Sequence, residues 1–70
     1  MYTMFYNQGI EVLKDDSNKY YMRFYTGGHA DYLKTVEITA EEAEQLRNKT
    51  NRNDLIHYLH NQLADKYYGD

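Results

Sequence analysis

Cysteine is absent from this 70-residue sequence, and serine occurs only once. The lack of cysteine excludes disulfides, thiolate catalysis and cysteine-ligated zinc. Ser17 falls in a polar turn, so a serine nucleophile activated by a base has little support. Gly27-Gly28 fits neither of the common phosphate-binding glycine patterns and precedes a strand. The sequence therefore favours a protein that is not an enzyme and that uses no cofactor and no metal.

Long apolar runs are also missing. No stretch approaches the roughly 18 residues of a membrane span, and no basic segment followed by an apolar one suggests a secretory signal. We therefore expect a cytoplasmic protein without membrane contact. The net charge of −3 argues against nucleic acid as the ligand, because polyanion binding requires clustered positive charge. The expected partner is a protein or protein complex, and the sequence leaves open whether the chain is a monomer or a homodimer.

Aliphatic residues are few, and tyrosine supplies much of the remaining apolar area. Ile, Leu, Val and Phe together number 13, beside nine tyrosines and three methionines. A chain this short forms one small domain, residues 1–70, that buries only about 60% of the surface its unfolded form exposes. The regular apolar patterns described below favour a folded domain over a disordered segment.

The first half of the chain predicts four β-strands. Aromatic residues in Tyr2–Tyr6 and alternation in Ile10–Leu13 suit half-buried strands, and turn residues follow each. The stretch Lys19–Ile38 reads as two further strands joined through Gly27-Gly28. Both side-chain rows of the last strand mix apolar with polar residues, so a bulge near Gly27 or Gly28 is one way to reconcile them.

The register of the middle hairpin follows from keeping its apolar side chains on one face. Met22 and Phe24 share the face that we expect to be buried, because side chains alternate along a strand. A five-residue loop containing Asp15-Asp16-Ser17-Asn18 then sets the register. The predicted cross-strand pairs are Leu13 with Lys19, Val12 with Tyr20, Glu11 with Tyr21 and Ile10 with Met22.

The second half predicts two helices. Thr39 and Glu42 form a capping box that starts a helix over about Ala40–Lys49. The apolar side of this helix is thin, so we place it at the edge of the sheet. A second helix begins after a cap among residues 50–53, and its apolar stripe covers the sheet face that bears Met22 and Phe24. The stripe consists of Leu55, Ile56, Leu59, Leu63 and Tyr67.

These elements predict an α+β fold: an antiparallel four-stranded β-meander followed by two α-helices packed on one face, in the order ββββαα. Titratable pairs have simple structural interpretations within it. Asp15-Asp16 belongs to a turn, and Glu41-Glu42 to a capped helix start. His57 and His60 are spaced by three rather than the four of helical zinc pairs, which favours packed or solvated histidines.

The segment from Lys34 onward carries one family resemblance. The strand Lys34-Thr35-Val36-Glu37-Ile38, a capped helix and then Asn51-Arg52-Asn53-Asp54-Leu55-Ile56 opening a second helix resemble the ribbon-helix-helix family of DNA-binding repressors. The resemblance covers about half the chain. It implies a dimer in which the strand pairs with its copy and enters the major groove. The alternative function is therefore a ribbon-helix-helix-like DNA-binding regulator, although the strand offers only Lys34 as a cation and a whole sheet precedes it.

Tyrosine and arginine on the opposite face of the sheet predict the leading function. Tyr21, Arg23 and Tyr25 alternate onto the face away from the core, with Glu11 nearby. Tyrosine and arginine are enriched at binding hot spots, because they combine large rigid contact area with hydrogen-bonding tips. We therefore expect a non-enzymatic protein-binding module whose aromatic patch is not needed for folding.

The size and acidity of the chain suggest the kind of partner. Small acidic proteins without catalytic groups resemble those carried by phages and other mobile elements, many of which block a host enzyme or defence complex by occupying its surface. An acidic blocker can also compete for a nucleic-acid channel by presenting carboxylates in place of phosphates. The candidate carboxylates are those of Glu41, Glu42 and Glu44, together with Asp15 and Asp16.

Overall fold

A computed structural model describes residues 1–25 and 32–69. Within these ranges the chain forms four strands and then helical segments, which confirms the predicted α+β order. The strands are β1 (Tyr2–Asn7), β2 (Ile10–Lys14), β3 (Tyr20–Tyr25) and β4 (Leu33–Ile38). The helical segments are α1 (Ala40–Asn48), α2 (Arg52–His57), a π-helical turn (Tyr58–Gln62) and α3 (Ala64–Tyr68). The described strands form one antiparallel sheet in the order β1-β2-β3-β4.

A tight turn and a bulge shape the first hairpin. Gln8 and Gly9 both have positive φ angles, 51° and 93°, which is the backbone twist that a two-residue hairpin loop requires. The pairing of β1 with β2 shifts between Thr3 and Phe5, so Met4 is the extra residue of a bulge. Because of the bulge, Thr3 and Phe5 lie on opposite faces of the sheet although they are two residues apart.

The predicted register of the second hairpin is wrong by two residues. Glu11 pairs with Arg23, Val12 with Met22, Leu13 with Tyr21 and Lys14 with Tyr20. The physical reason lies in the turn, where the Asp15 carboxylate accepts hydrogen bonds from the Ser17 and Lys19 amides, each at 2.9 Å. These bonds move the five-residue loop one position along the chain. A two-residue error keeps the face of every side chain, so the assignment of the buried row survives.

The core lies between the helices and one face of the sheet, which we call the inner face. Its strand residues are Ile10, Val12, Met22, Phe24 and Ile38. The helices contribute Ala43, Leu46, Leu55, Leu59 and Leu63. This arrangement confirms that Leu55, Leu59 and Leu63 cover Met22 and Phe24. The predicted hairpin turn at Gly27-Gly28, with its bulge, lies outside the described residues.

The helix α1 does not lie at the sheet edge as predicted. It contacts both β1 and β3, and Leu46 is completely buried. The first hairpin holds the carboxyl end of α1. The side-chain amide of Asn7 donates to the carbonyl oxygens of Leu46 at 2.6 Å and Lys49 at 2.7 Å. These carbonyls would otherwise lack partners at a helix terminus. The predicted capping box at Thr39 and Glu42 is present at the other end.

The predicted second helix is broken into three segments. Asn51 caps α2 by accepting the Asn53 amide at 2.8 Å, and the Leu63 amide donates back to the Tyr58 carbonyl at 3.1 Å to close the π-helical turn. Tyr67 then stacks on Phe24 with ring centroids 4.8 Å apart. None of the helices within residues 1–25 and 32–69 is long and apolar enough to cross a membrane.

Candidate functional site: the outer face of the sheet

The face of the sheet opposite the helices carries the candidate site, and we call it the outer face. Cross-strand pairing defines one row through Tyr6, Glu11, Arg23 and Thr35, and a second row through Thr3, Leu13, Tyr21 and Glu37. Tyr25 and Leu33 pair at its far end. The described helices pack against the inner face alone, since their buried side chains join the inner core cluster. Antiparallel sheets commonly leave one face in contact with water in this way.

The centre of the outer face holds an ion pair between buried Glu11 and half-buried Arg23. Glu11 is only 8% exposed, although it lies on the face that the helices do not cover. One carboxylate oxygen accepts from Arg23 Nε at 2.8 Å, and the other accepts from the Thr3 hydroxyl. The Thr3 hydrogen bond, together with Arg23 and the Tyr6 hydroxyl, lowers the pKa of Glu11 against the opposing effect of burial. Contacts of Arg23 Nε and Nη2 with the same Glu11 oxygen hold the arginine side chain in one orientation.

Leu13 is the second buried residue of the outer face. It is 3% exposed and lies on an inner strand of the sheet, between Thr3 on β1 and Tyr21 on β3. Long side chains on adjacent strands reach over their neighbours on the same face. Within residues 1–25 and 32–69 no helix lies above the middle of the outer face, and side chains of the sheet itself cover Leu13.

Tyr21 connects the outer face to the turn after β2. Its hydroxyl donates to Asp15 Oδ2 at 3.0 Å, while the other carboxylate oxygen of Asp15 accepts the turn amides. The Lys19 amide is the main reason that the pKa of Asp15 is lowered. The hydrogen bond to Asp15 raises the pKa of Tyr21, and the nearby charge of Glu37 adds to the effect. Tyr21 thus stands between two carboxylates.

The rim of the outer face exposes large apolar side chains. Tyr6 is 72% exposed, Tyr25 is 66% exposed and Leu33 is 48% exposed. Thr35 and Glu37 on β4 are exposed as well. The outer face therefore has a rigid polar centre surrounded by accessible aromatic and aliphatic area.

The structure brings four of the predicted binding residues together and shows that their exposure differs. Tyr21, Arg23, Tyr25 and Glu11 share the outer face, but only Tyr25 is fully accessible. Glu11 is buried and Tyr21 is tied to the turn, so these two also support the fold. Of these four residues, Tyr25 is the one whose exposure fits the prediction of a binding patch that folding does not require.

Sequence reasoning missed three residues of the outer face: Tyr6, Leu33 and Glu37. Simple alternation along β1 places Tyr6 and Met4 together, and the bulge at Met4 breaks that alternation. Both rows of β4 mix polar with apolar residues, so the pattern alone does not assign faces to Leu33 and Glu37. Only the register of β3 with β4 places Glu37 on the outer face, because it sets Glu37 opposite Tyr21.

Three of the other predicted carboxylates lie on the helical side of the sheet. Glu41, Glu42 and Glu44 are on α1, which packs against the inner face. Glu42 accepts the Thr39 amide at 2.8 Å and forms an ion pair with Lys66. Burial opposes ionisation of Glu42, but the bonds from Lys66 and Thr39 outweigh it and lower the pKa. Asp15 and Asp16 are in the β2–β3 turn, where Asp15 accepts the Tyr21 hydroxyl.

Glu41 and Glu44 line an open groove of about 550 Å³ beside α1. The Tyr58 ring forms another part of its wall, and the Lys49 ammonium lies 5.3 Å from the centre of that ring. Burial raises the pKa of Tyr58, and the charges of Glu42 and Glu41 raise it further. The groove lining is Thr39, Glu41, Glu42, Glu44, Gln45, Tyr58 and Gln62.

The two helical histidines do not form a centre of their own. His60 lies beside the rings of Tyr67 and Tyr68, with centroid distances of 5.6 and 5.4 Å. In the part of the chain that the structure describes, no three His, Cys, Asp or Glu side chains are arranged to hold a metal ion.

Comparisons with protein-family models, curated proteins and solved structures find nothing that matches this chain.

Proposed function

We propose that this chain is a non-enzymatic protein-binding module that acts by occupying the surface of its partner through the outer face. The observation that carries the proposal is the exposed rim of Tyr6, Tyr25 and Leu33 around the ion pair of Glu11 and Arg23. Large exposed apolar side chains grouped on one face mark interaction sites more often than the same residues scattered singly.

The chemistry of the rim suits a protein partner. Tyrosine buries a large area on binding while losing the freedom of only two side-chain torsions, and its hydroxyl retains a hydrogen bond. Tyr25 is the last residue of β3, where its backbone pairs with Leu33 on β4, so the sheet presents the ring. Arg23 is already oriented by Glu11, with Nη2 2.8 Å from the carboxylate, which reduces the ordering needed on binding.

Three hydrogen-bonded carboxylates support a non-enzymatic role through the direction in which their pKa values are shifted. A general base works best with a pKa near the operating pH, which for a carboxylate requires a raised value. The pKa values of Glu11, Asp15 and Glu42 are all lowered instead. Each of these carboxylates is engaged by hydrogen bonds that hold the fold together.

The size of the chain favours one form of this function, namely an inhibitor that covers part of an enzyme or a defence complex. A chain of 70 residues offers few surfaces large enough for a stable contact. A flat sheet face is one such surface, because adjacent strands present a continuous area. Origin from a phage or other mobile element belongs to this proposal through the general character of the chain.

DNA binding is the alternative, and the position of β4 weighs against it. The resemblance implies that the strand enters the major groove, and the helices cover the inner face of β4, so its outer face is the one open to DNA. On β4 that face carries Leu33, Thr35 and Glu37, whereas Lys34 lies on the inner face opposite Phe24. A carboxylate facing DNA is repelled by the phosphates. We expect no sequence-specific band shift in an electrophoretic assay; a salt-sensitive shift that Lys34→Ala weakens would support the alternative.

Affinity capture with matched variants tests the leading proposal. The full chain carries a tag on a flexible linker, and the wild type is compared with Tyr25→Ala and Tyr68→Ala. Tyr68 is 63% exposed but belongs to α3, on the helical side, so the two variants make the same change on different surfaces. We expect a protein that wild type and Tyr68→Ala enrich and Tyr25→Ala loses. If Tyr25→Ala retains every enriched protein, the outer face is not the binding surface.

A further inference from the structure

Tyr21 and its two flanking carboxylates form a distinct feature of the outer face, which we call the Tyr21 site. Asp15 accepts the Tyr21 hydroxyl at 3.0 Å, and Glu37 lies directly opposite Tyr21 on β4. Directly opposed residues of an antiparallel pair have Cβ atoms about 4.5–5.5 Å apart. The phenol ring is therefore bracketed by one carboxylate at its hydroxyl end and another at its side.

The negative charge at the Tyr21 site is only partly balanced. Lys19 in the turn is the cation that acts on Asp15, and Arg23 on the same face is paired with Glu11. Glu37 is exposed and makes no side-chain hydrogen bond or ion pair with the other described residues. Asp16 adds a further exposed carboxylate to the same turn. The site thus retains carboxylate oxygens that can accept bonds from a partner.

The aromatic rings on the helical side already have cations beside them. Lys14 lies 5.2 Å from the Tyr20 ring, Arg47 lies 5.1 Å from the Phe5 ring and Lys49 lies 5.3 Å from the Tyr58 ring. Among the described residues, no cation of the chain lies over Tyr6, Tyr21 or Tyr25 in this way. The acidic groove beside α1 also has cations of the same chain next to it: Lys66 pairs with Glu42, and Lys49 lies over the Tyr58 ring. On the outer face the half-buried Tyr21 ring and the exposed Glu37 carboxylate are cross-strand neighbours, and no cation of the described residues lies over that ring.

We propose that the Tyr21 site receives an arginine side chain of the protein partner, so that the partner presents a basic surface to the outer face. A guanidinium group is planar, so it stacks on an aromatic ring while its edge donates to carboxylate oxygens. A lysine ammonium offers a point charge without the flat face that matches the ring. This inference rests on the proposed function, because it names the chemistry of the partner at the same surface.

Titration of the full ¹⁵N-labelled chain with N-acetylarginine amide tests the assignment. The matched probe is N-acetylcitrulline amide, which has nearly the same shape without the charge. Low ionic strength is used, because salt screens interactions between exposed charges. We expect amide shifts centred on Asp15, Tyr21 and Glu37 with the arginine probe and much smaller shifts with citrulline. Equal shifts with both probes, or shifts centred on residues 41–45, would overturn the assignment.

Two variants with the same charge change separate a local site from the overall charge. Glu37→Gln should weaken binding of the arginine probe by at least about threefold, within the range of one exposed ion pair, and Glu44→Gln by less than about 1.5-fold. Equal weakening in the two variants would show attraction by net charge alone, which contradicts the proposal. The result is separable from the capture experiment. If the probe fails there while Tyr25→Ala loses a captured partner, the proposed function stands and only the arginine assignment is wrong.

Discussion

Glu11 shows how a single charged residue can be buried on a face without a covering helix. Its neighbours Thr3 and Arg23 donate to different oxygens of the carboxylate. A buried carboxylate that lacked these donors would be strongly disfavoured, because its desolvation would be uncompensated. The alternation of Glu11 with apolar residues predicted its face correctly. Its burial depends on side chains of two other strands, which a local pattern does not report.

The lowered pKa of Glu11 predicts that the protein becomes less stable in acid. Its pKa lies below the ordinary value of 4.5, so between the two values the unfolded state binds more protons than the folded state. The stabilisation is complete above the ordinary pKa and is lost as the pH falls through the folded value. Urea unfolding between about pH 3 and pH 7 measures this dependence. Glu11→Gln should flatten the acid limb of the profile.

Asp15 and Glu42 also have lowered pKa values, so Glu11→Gln should remove only part of the acid dependence. Glu44→Gln is the control, since Glu44 is exposed and carries the same charge. An unchanged acid limb in Glu11→Gln would contradict the stabilising role of the ion pair between Glu11 and Arg23.

At the scale of elements, the broken second helix explains a spacing that the sequence displays plainly. Leu55, Leu59 and Leu63 are each four residues apart, and all three are buried. Four residues exceed one α-helical turn by roughly 40°, so a long α-helix would rotate these side chains away from one another. A π-helical turn is wider, and placing one at Tyr58–Gln62 offsets the drift. The apolar stripe was predictable from sequence; the π-helical turn that keeps it straight was not.

The register error at the second hairpin has a similar origin. Alternation identified the buried row correctly, and both Val12 and Met22 are 0% exposed. The exact partner depends on where the turn begins, and that is decided by hydrogen bonds from the Asp15 carboxylate. The polar turn residues were visible in the sequence, but they do not show which backbone amides are bound.

Removal of the Leu59 side chain tests the packing of the helical segments on the inner face. Leu59 is 4% exposed and belongs to the core cluster. Leu59→Ala should lower the free energy of unfolding by about 2–5 kcal/mol, because the substitution leaves a cavity. Gln62→Ala, an exposed change in the same π-helical turn, should alter it by less than about 0.5 kcal/mol. Chemical denaturation measures both, and equal stabilities would show that the packing assignment is wrong.

At the scale of the whole molecule, the two faces of the sheet differ in which charged side chains have a partner within the chain. Lys14, Arg47 and Lys49 lie over aromatic rings on the helical side, and Lys66 pairs with Glu42 there. On the outer face, Arg23 is held by Glu11 while Glu37 is exposed. The outer face therefore presents an exposed carboxylate next to tyrosine rings, a local feature that the net charge of −3 does not reveal.

Part of the candidate site could be predicted from the sequence because alternation places Tyr21, Arg23 and Tyr25 on one face. The remainder depends on contacts between distant parts of the chain. Tyr6 reaches the outer face through a bulge, and Glu37 reaches Tyr21 through the pairing of β3 with β4. A pattern within one strand contains neither relation.

The most direct measurement of the central claim compares dissociation constants for the captured partner. Tyr25→Ala and Tyr68→Ala should both leave the free energy of unfolding within about 0.5 kcal/mol of wild type, since both side chains are exposed. Tyr25→Ala should weaken binding at least about tenfold, the equivalent of ~1.4 kcal/mol, whereas Tyr68→Ala should stay within about twofold. Equal affinities for Tyr25→Ala and wild type, or a larger loss in Tyr68→Ala, would contradict the assignment of binding to the outer face.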